Sequence, residues 1–105
     1  MASPLPPLLL DVAADRFRLL GDPVRLQMLN VLLEHGEATV QDLADAVGQS
    51  HQNTSKHLRK LAEGELVGVR RDGLYAYYRV VDPSVSGLCL VMCGALQGRL
   101  PAGDG

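Results

Sequence analysis

Excess positive charge is missing from this sequence. Ten Lys and Arg stand against 12 Asp and Glu, a formal net charge of −2, so any nucleic-acid reading has to rest on how charge is distributed. Two cysteines, Cys89 and Cys93, do not make a disulfide framework. No apolar run approaches the roughly 20 residues of a membrane span, which predicts a soluble chain with no membrane partner. Pro4 to Leu10 carries apolar residues but lacks the basic flank and small-residue cleavage site of a secretory signal, and cytoplasmic residence is the resulting expectation. A phosphate-cradling glycine loop, a metal-ligand cluster and a nucleophile motif are also missing. With the histidines and cysteines dispersed, no catalytic residue is assigned and an enzyme is not expected.

What is present is a sharp division of charge. From Ser50 to Val80 there are six Lys or Arg (Lys56, Arg59, Lys60, Arg70, Arg71, Arg79) and three acids (Glu63, Glu65, Asp72), a local +3 that leaves −5 for the remainder. A positive face on an acidic body suits specific DNA binding with limited sequence-independent affinity, because phosphate contacts dominate the latter.

The same stretch has a recognisable local grammar. Thr39 with Asp42 three residues on reads as a helix start, and Leu43, Ala44 and Val47 supply the apolar face before Gly48 stops the helix. Ser50 can cap a second helix on which Thr54, Leu58, Leu61 and Ala62 gather on one side at about 100° per residue. The remaining arc carries His51, Gln52, Ser55, Lys56, Arg59 and Lys60, with no acid before Glu63. Leu66 to Arg71 and Leu74 to Val80 are strand-like runs, and Asp72-Gly73 between them favours a two-residue hairpin turn. Two helices, a tight turn and a basic hairpin in this order make a winged helix-turn-helix: the second helix enters the major groove and the hairpin tip lies along the backbone. The predicted fold is mostly α with a β-hairpin wing.

At 105 residues the chain suits one domain with a modest core. Residues 1–7, with three prolines, read as a flexible lead-in, residues 8–98 as a DNA-binding and dimerisation domain, and residues 99–105 as a flexible tail. Leu8 to Leu20 predicts a helix with Leu9, Val12, Ala13, Phe17 and Leu20 apolar. Asp22-Pro23 then opens a second helix that runs to about His35 with Val24, Met28, Leu29, Val31, Leu32 and Leu33 apolar. A final helix begins at Asp82-Pro83 and reaches about Gln97. Val85, Leu88, Cys89, Met92, Cys93 and Leu96 make one stripe on it, while Leu90, Val91 and Ala95 cover part of the opposite side. One core contact would leave apolar surface wet, so the terminal helices are expected to build a homodimer. Two recognition helices would then meet half-sites about 34 to 36 Å apart, an inverted repeat.

Three strings carry a resemblance to a known family: Leu20-Gly21-Asp22-Pro23-Val24-Arg25-Leu26, Ser50-His51-Gln52-Asn53-Thr54-Ser55-Lys56-His57-Leu58, and Arg71-Asp72-Gly73 through Tyr77-Tyr78-Arg79. They resemble, respectively, the start of the second helix, the recognition helix and the wing of the ArsR/SmtB family of small bacterial transcriptional repressors, and the likeness runs from about Leu9 to Leu96. It implies a dimeric repressor of its own or adjacent genes. The residues matching the family's base-reading positions are His51, Gln52, Asn53, Ser55 and Lys56. Gln52 and Asn53 have amides that can bridge adenine N6 and N7, and Lys56 can reach guanine acceptors or phosphate. Arg59, Lys60, Arg70 and Arg71 fit phosphate clamps. Asn53 has a second reading, ordering the first turn, and His57 reads as a packing histidine. Tyr78 reads as core, and Tyr75 and Tyr77 as either core or contact. Gln49 departs from the family, which usually has an apolar residue in the turn.

The family's usual sensing sites are not matched. The Cys-x-Cys positions hold Thr39 and Gln41, and the final-helix positions hold Asp82, Ser84, Ala95 and Gly98, of which only Asp82 can ligate. No cofactor is expected, and the openings left are a thiophilic or nickel- or zinc-type metal at a non-standard site, or an unknown small effector. Cys89 and Cys93, with Cα atoms about 6 Å apart on one helix face, read either as buried packing residues or as a sensor shared across the dimer. Glu34, His35 and Glu37 read as a solvated helix end or, less simply, as a metal site. A winged-helix protein-interaction module without DNA binding is the alternative function, and it calls for acids or apolar residues on the reading face.

Overall fold

A computed structural model describes residues 5–98; the expectations for residues 1–4 and for the 99–105 tail fall outside the described residues. The chain runs α1 (Pro7–Leu20), α2 (Pro23–His35), β1 (Ala38–Thr39), α3 (Val40–Val47), α4 (His51–Glu63), β2 (Val67–Asp72), β3 (Tyr75–Val80) and α5 (Pro83–Gln97). Pro7, assigned to the lead-in from sequence, is already helical, as suits a proline at a first position where an N–H has no partner to lose.

The helix starts are chemical. Asp22 accepts from the Arg25 N–H, Ser50 from the Asn53 N–H, and Asp82 from the Ser84 N–H. Thr39 and Asp42 close a reciprocal capping box, with Asp42 N–H donating to Thr39 Oγ at 3.1 Å and Thr39 N–H to Asp42 Oδ2 at 3.2 Å.

The core gathers Met28, Leu29 and Leu32 of α2, Leu43 of α3, Leu58 and Leu61 of α4, Leu66 and Val67 at the start of the hairpin, and Val85 of α5. Thr54, the one buried polar residue in the described core, turns its hydroxyl back to the Ser50 carbonyl at 2.8 Å and so carries no unsatisfied donor inside. Ala62 does not join this set: it is exposed, past the edge of the inward arc in the last turn of α4.

The three strands form an antiparallel sheet in the order β1-β3-β2. β1 has only two residues, Ala38 opposite Tyr78 and Thr39 opposite Tyr77, and no sequence run announces it. The hairpin turn is Gly73-Leu74, one residue later than the sequence suggests, because Asp72 stays in the strand opposite Tyr75. Gly73 takes φ +60° and Leu74 does not share the positive φ, the pattern of a II′ turn, which needs glycine at its first central position.

Arg16 of α1 ties three elements together. Its Nη1 donates to Asp82 Oδ2 and its Nη2 lies 3.9 Å from Glu65 Oε2, so α1 is pinned to the start of α5 and the base of the hairpin. The Ser84 hydroxyl and N–H, with Arg16 beside them, hold the Asp82 carboxyl below the usual carboxylate range. A lowered folded pKa gives stability that is present above the ordinary value near 4 and is lost as pH falls through the folded value. Asp82→Ala is therefore expected to cost about 1 kcal/mol in urea melts at pH 7. As pH falls below that ordinary value the difference from wild type should shrink.

Candidate nucleic-acid interface

The helix-turn-helix is α3, Gly48-Gln49-Ser50 and α4. Gly48 is left-handed, φ +68°, which turns the chain at the end of α3, and the Gln49 N–H returns to the Ala44 carbonyl at 3.0 Å. Gln49, the departure from the family pattern, is half-buried and accepts from Asn53 Nδ2 at 2.7 Å. An amide pair thus does in the turn what an apolar contact does elsewhere. It also engages one of the two amide protons of Asn53 and fixes the orientation of that side chain, which favours the ordering role for that residue over free base reading.

The outward arc of α4 carries His51, Gln52, Lys56, Arg59 and Lys60, all exposed, with Asn53 and Ser55 half-buried at its edges. Lys60 lies in the last turn, where a cation also suits the helix dipole. The inward arc is fixed by Thr54, Leu58 and Leu61 in the core, so the helix cannot roll to present another face without exposing them.

Sequence reasoning gave Arg25 no role. At the start of α2 its Nε donates to the Leu19 carbonyl at 2.9 Å and its Nη2 to the Arg18 carbonyl at 3.3 Å, while Nη1 reaches to 3.5 Å from His57 Nδ1. Arg25 therefore joins the end of α1 to the middle of α4, and His57 is a packing residue, half-buried against it. Asp22 beneath it is held at lowered pKa, first by the Arg25 N–H and then by the charges of Arg25 and His57.

In the wing, cross-strand register sorts the residues. Arg71 opposite Ala76 and Val69 opposite Tyr78 share the face that continues inward to Val67 and Val80, while Arg70 opposite Tyr77 and Asp72 opposite Tyr75 share the other. Tyr78 packs on the core as expected. Tyr75 and Tyr77 sit with ring centroids 6.4 Å apart on the outer face. Arg70 and Arg71 are both exposed, but their surroundings differ: Arg70 is ion-paired to Glu37 and Asp72, whereas among the described residues Arg71 has no salt bridge. Glu37 is thus spoken for by Arg70, and the cluster with Glu34 and His35 loses that carboxylate.

The terminal helices look different from the rest. In α1 no residue is buried and in α5 only Val85 is, while Leu8, Phe17, Leu90, Val91 and Met92 are at least 60% exposed. Cys89 is half-buried and Cys93 exposed; both line an open groove of about 610 Å³ between α2 and α5, with Leu26, Gln27, Asn30 and Leu96. Burial, and then the neighbouring Cys93, push the Cys89 thiol up in pKa. Among the described residues no three His, Cys, Asp or Glu side chains converge as a metal site, and no helix is long and apolar enough to cross a membrane.

Comparison with known proteins places this geometry. Residues 20–70 match the helix-turn-helix domain family. The chain is 37% identical over 87 residues to the HTH-type transcriptional regulator KmtR of Mycobacterium tuberculosis, covering 83% of this chain and 66% of that protein. It is 38% identical over 81 residues to a probable mercury resistance operon repressor of Streptomyces lividans, covering 77% and 64%. The chain thus spans about two thirds of the length of these two curated relatives. Among solved structures, the homodimeric winged helix-turn-helix DNA-binding domain of a possible ArsR-family transcriptional regulator from Mycobacterium bovis superposes with a TM-score of 0.79 at 31% identity, covering 100% of this chain and 98% of that one. A capped recognition helix, a basic wing and a family likeness that extends over the whole fold agree, and this chain belongs to the ArsR/SmtB family of DNA-binding, winged helix-turn-helix transcriptional regulators.

Proposed function

We propose that the chain is a homodimeric, cytoplasmic repressor that binds an inverted-repeat operator through α4 and its wing and has no catalytic activity. The observation that carries the reading is the outward arc of α4, whose exposed His51, Gln52, Lys56, Arg59 and Lys60 face away from a core that fixes the helix's rotation. Gln52 and Lys56 read base edges, with His51 and Ser55 beside them at the groove floor and Asn53, held by Gln49, ordering the first turn. Arg59, Lys60 and Arg71 contact phosphate. Unpartnered apolar surface on α1 and α5 supports the homodimer, as does the homodimeric relative from M. bovis, and the operon-repressor relative supports the sign of regulation. The alternative, a protein-interaction module, is disfavoured because the reading face carries no acid and no large apolar residue.

For the effector, Cys89 and Cys93 are assigned to packing in the dimer interface rather than to sensing. Burial pushes the Cys89 thiol up in pKa, away from the reactive thiolate. The experiment is fluorescence anisotropy of the reduced protein on its own promoter duplex, with and without zinc, nickel, mercuric ion or an oxidant. Gln52→Ala is expected to weaken operator binding about 5- to 150-fold per half-site, the equivalent of roughly 1 to 3 kcal/mol for each lost bidentate base contact, with little change on generic duplex. An additive that releases wild type but not Cys89→Ser with Cys93→Ser would move the pair from packing to sensing. Failure to bind either duplex would return the protein-interaction reading.

A further inference from the structure

Arg70 stands in the middle of β2, where a basic wing would be expected to offer a free cation to DNA. Its guanidinium is instead already partnered, although 43% of the side chain is exposed. Nε and Nη2 donate to the two oxygens of Glu37 at 3.3 and 2.6 Å, Nη1 lies 3.6 Å from Asp72 Oδ2, and the group sits 4.6 Å from the centroid of the Tyr77 ring. All three nitrogens thus face carboxylates and one π face is covered, the forked geometry in which an arginine is hardest to replace by a lysine or to share with a second anion. Glu37 comes from the short loop between α2 and β1, 33 residues away in sequence, so the pair fastens the wing to the body. A phosphodiester approaching Arg70 meets two carboxylates of its own sign already paired to that cation. Both partners favour their charged forms: Arg70 first of all holds the Glu37 carboxyl down in pKa, and Glu37 first of all holds the Arg70 guanidinium up. The neighbouring Arg79 adds to the field that keeps Glu37 ionised.

We propose that Glu37 is a positioning residue for the wing that withholds Arg70 from the DNA backbone and leaves Arg71 as the phosphate contact of β2. The inference rests on the DNA-binding reading above. It makes the wing's two adjacent arginines unequal: one is a strut and the other a clamp. It also gives the acidic body a way to limit sequence-independent affinity at the place where the wing meets DNA.

The test is the salt dependence of binding, read as the slope of log K against log salt concentration, on the promoter duplex and on a generic duplex. Each phosphate contact contributes about 0.9 to that slope. Arg71→Ala is expected to flatten it by about that amount per wing and Arg70→Ala to leave it unchanged. Glu37→Gln, which keeps the side chain's shape at a half-buried position, is expected to steepen it by about the same amount per wing and to raise generic-duplex affinity about three- to tenfold. In an Arg70→Ala background the effect of Glu37→Gln should vanish, which a merely structural role for Glu37 would not produce. Arg70→Ala flattening the slope as much as Arg71→Ala overturns the proposal. So does a Glu37→Gln slope equal to wild type. Wild type failing to bind either duplex overturns the DNA-binding reading and this inference with it, and is told apart because it needs no variant.

Discussion

Phe17→Glu combined with Val91→Glu is expected to leave a folded monomer that binds its operator at least about a hundredfold more weakly than wild type. Phe17 on α1 is 60% exposed and Val91 on α5 is 74% exposed, so neither contributes much to the core of its own chain. Burying such a side chain is worth about 1.5 to 3 kcal/mol, and a symmetric dimer buries each of them twice. Replacing them with carboxylates removes that gain and adds charge that a dimer interface would have to desolvate. The DNA effect follows from losing linkage: two recognition helices on one dimer make binding of the second half-site intramolecular, and the resulting avidity can exceed either half-site's own affinity by about two to four orders of magnitude. Sedimentation equilibrium and anisotropy on the same samples check both halves. A variant that still sediments as a dimer removes α1 and α5 from the interface.

Leu58→Ala should act through the opposite route. Leu58 is fully buried on the inward face of α4, two positions past Lys56, and packs in the cluster with Leu43, Leu61 and Leu29. Truncating a core leucine costs about 2 to 5 kcal/mol, the spread reflecting how far the surroundings collapse into the gap. For a domain of this size about 3 kcal/mol corresponds to a fall in Tm of roughly 12 to 24 °C. Urea and thermal melts at fixed protein concentration measure it, since a dimer's stability depends on concentration. Binding at low temperature should survive in the fraction that remains folded, whereas Gln52→Ala should leave the melt unchanged and lose the operator. A Leu58→Ala melt within 1 kcal/mol of wild type would mean that α4 is not anchored as described.

The helices were legible because their signals are local. Asp22-Pro23, Thr39 with Asp42, and Ser50 each satisfy orphan N–H groups within one turn of the helix they start, and the observed caps use those side chains. The inward stripe of α4 was equally readable up to Leu61, and failed at Ala62, whose small side chain carries little burial preference at a helix end. β1 was not legible because two residues have no periodicity; Ala38 and Thr39 are a strand only by virtue of Tyr78 and Tyr77 opposite them. The hairpin turn slipped by one residue for a related reason. Asp72-Gly73 is a fair turn pair by local chemistry, but Asp72 gains a cross-strand partner in Tyr75 and a cation in Arg70 by staying in the strand. At the interface, residue types showed which arc faces outward but not which cations are already partnered. Glu37 with Arg70, and Arg25 with His57, meet across more than 30 positions, a distance that no window along the chain spans.

The bond from Arg16 to Asp82 closes a loop of 66 positions, the largest separation among the described side-chain hydrogen bonds. Closing a loop of that length carries an entropic cost that the local helix caps do not, and the junction is expected to form after them in folding, with φ-values at Arg16 and Asp82 as the measurement that checks it. Substitutions at either end should therefore change how long the native state lasts more than how quickly it is reached. The junction that joins α1, α5 and the base of the wing is thus expected to act as a latch, with faster unfolding of Arg16→Ala than of wild type as its signature.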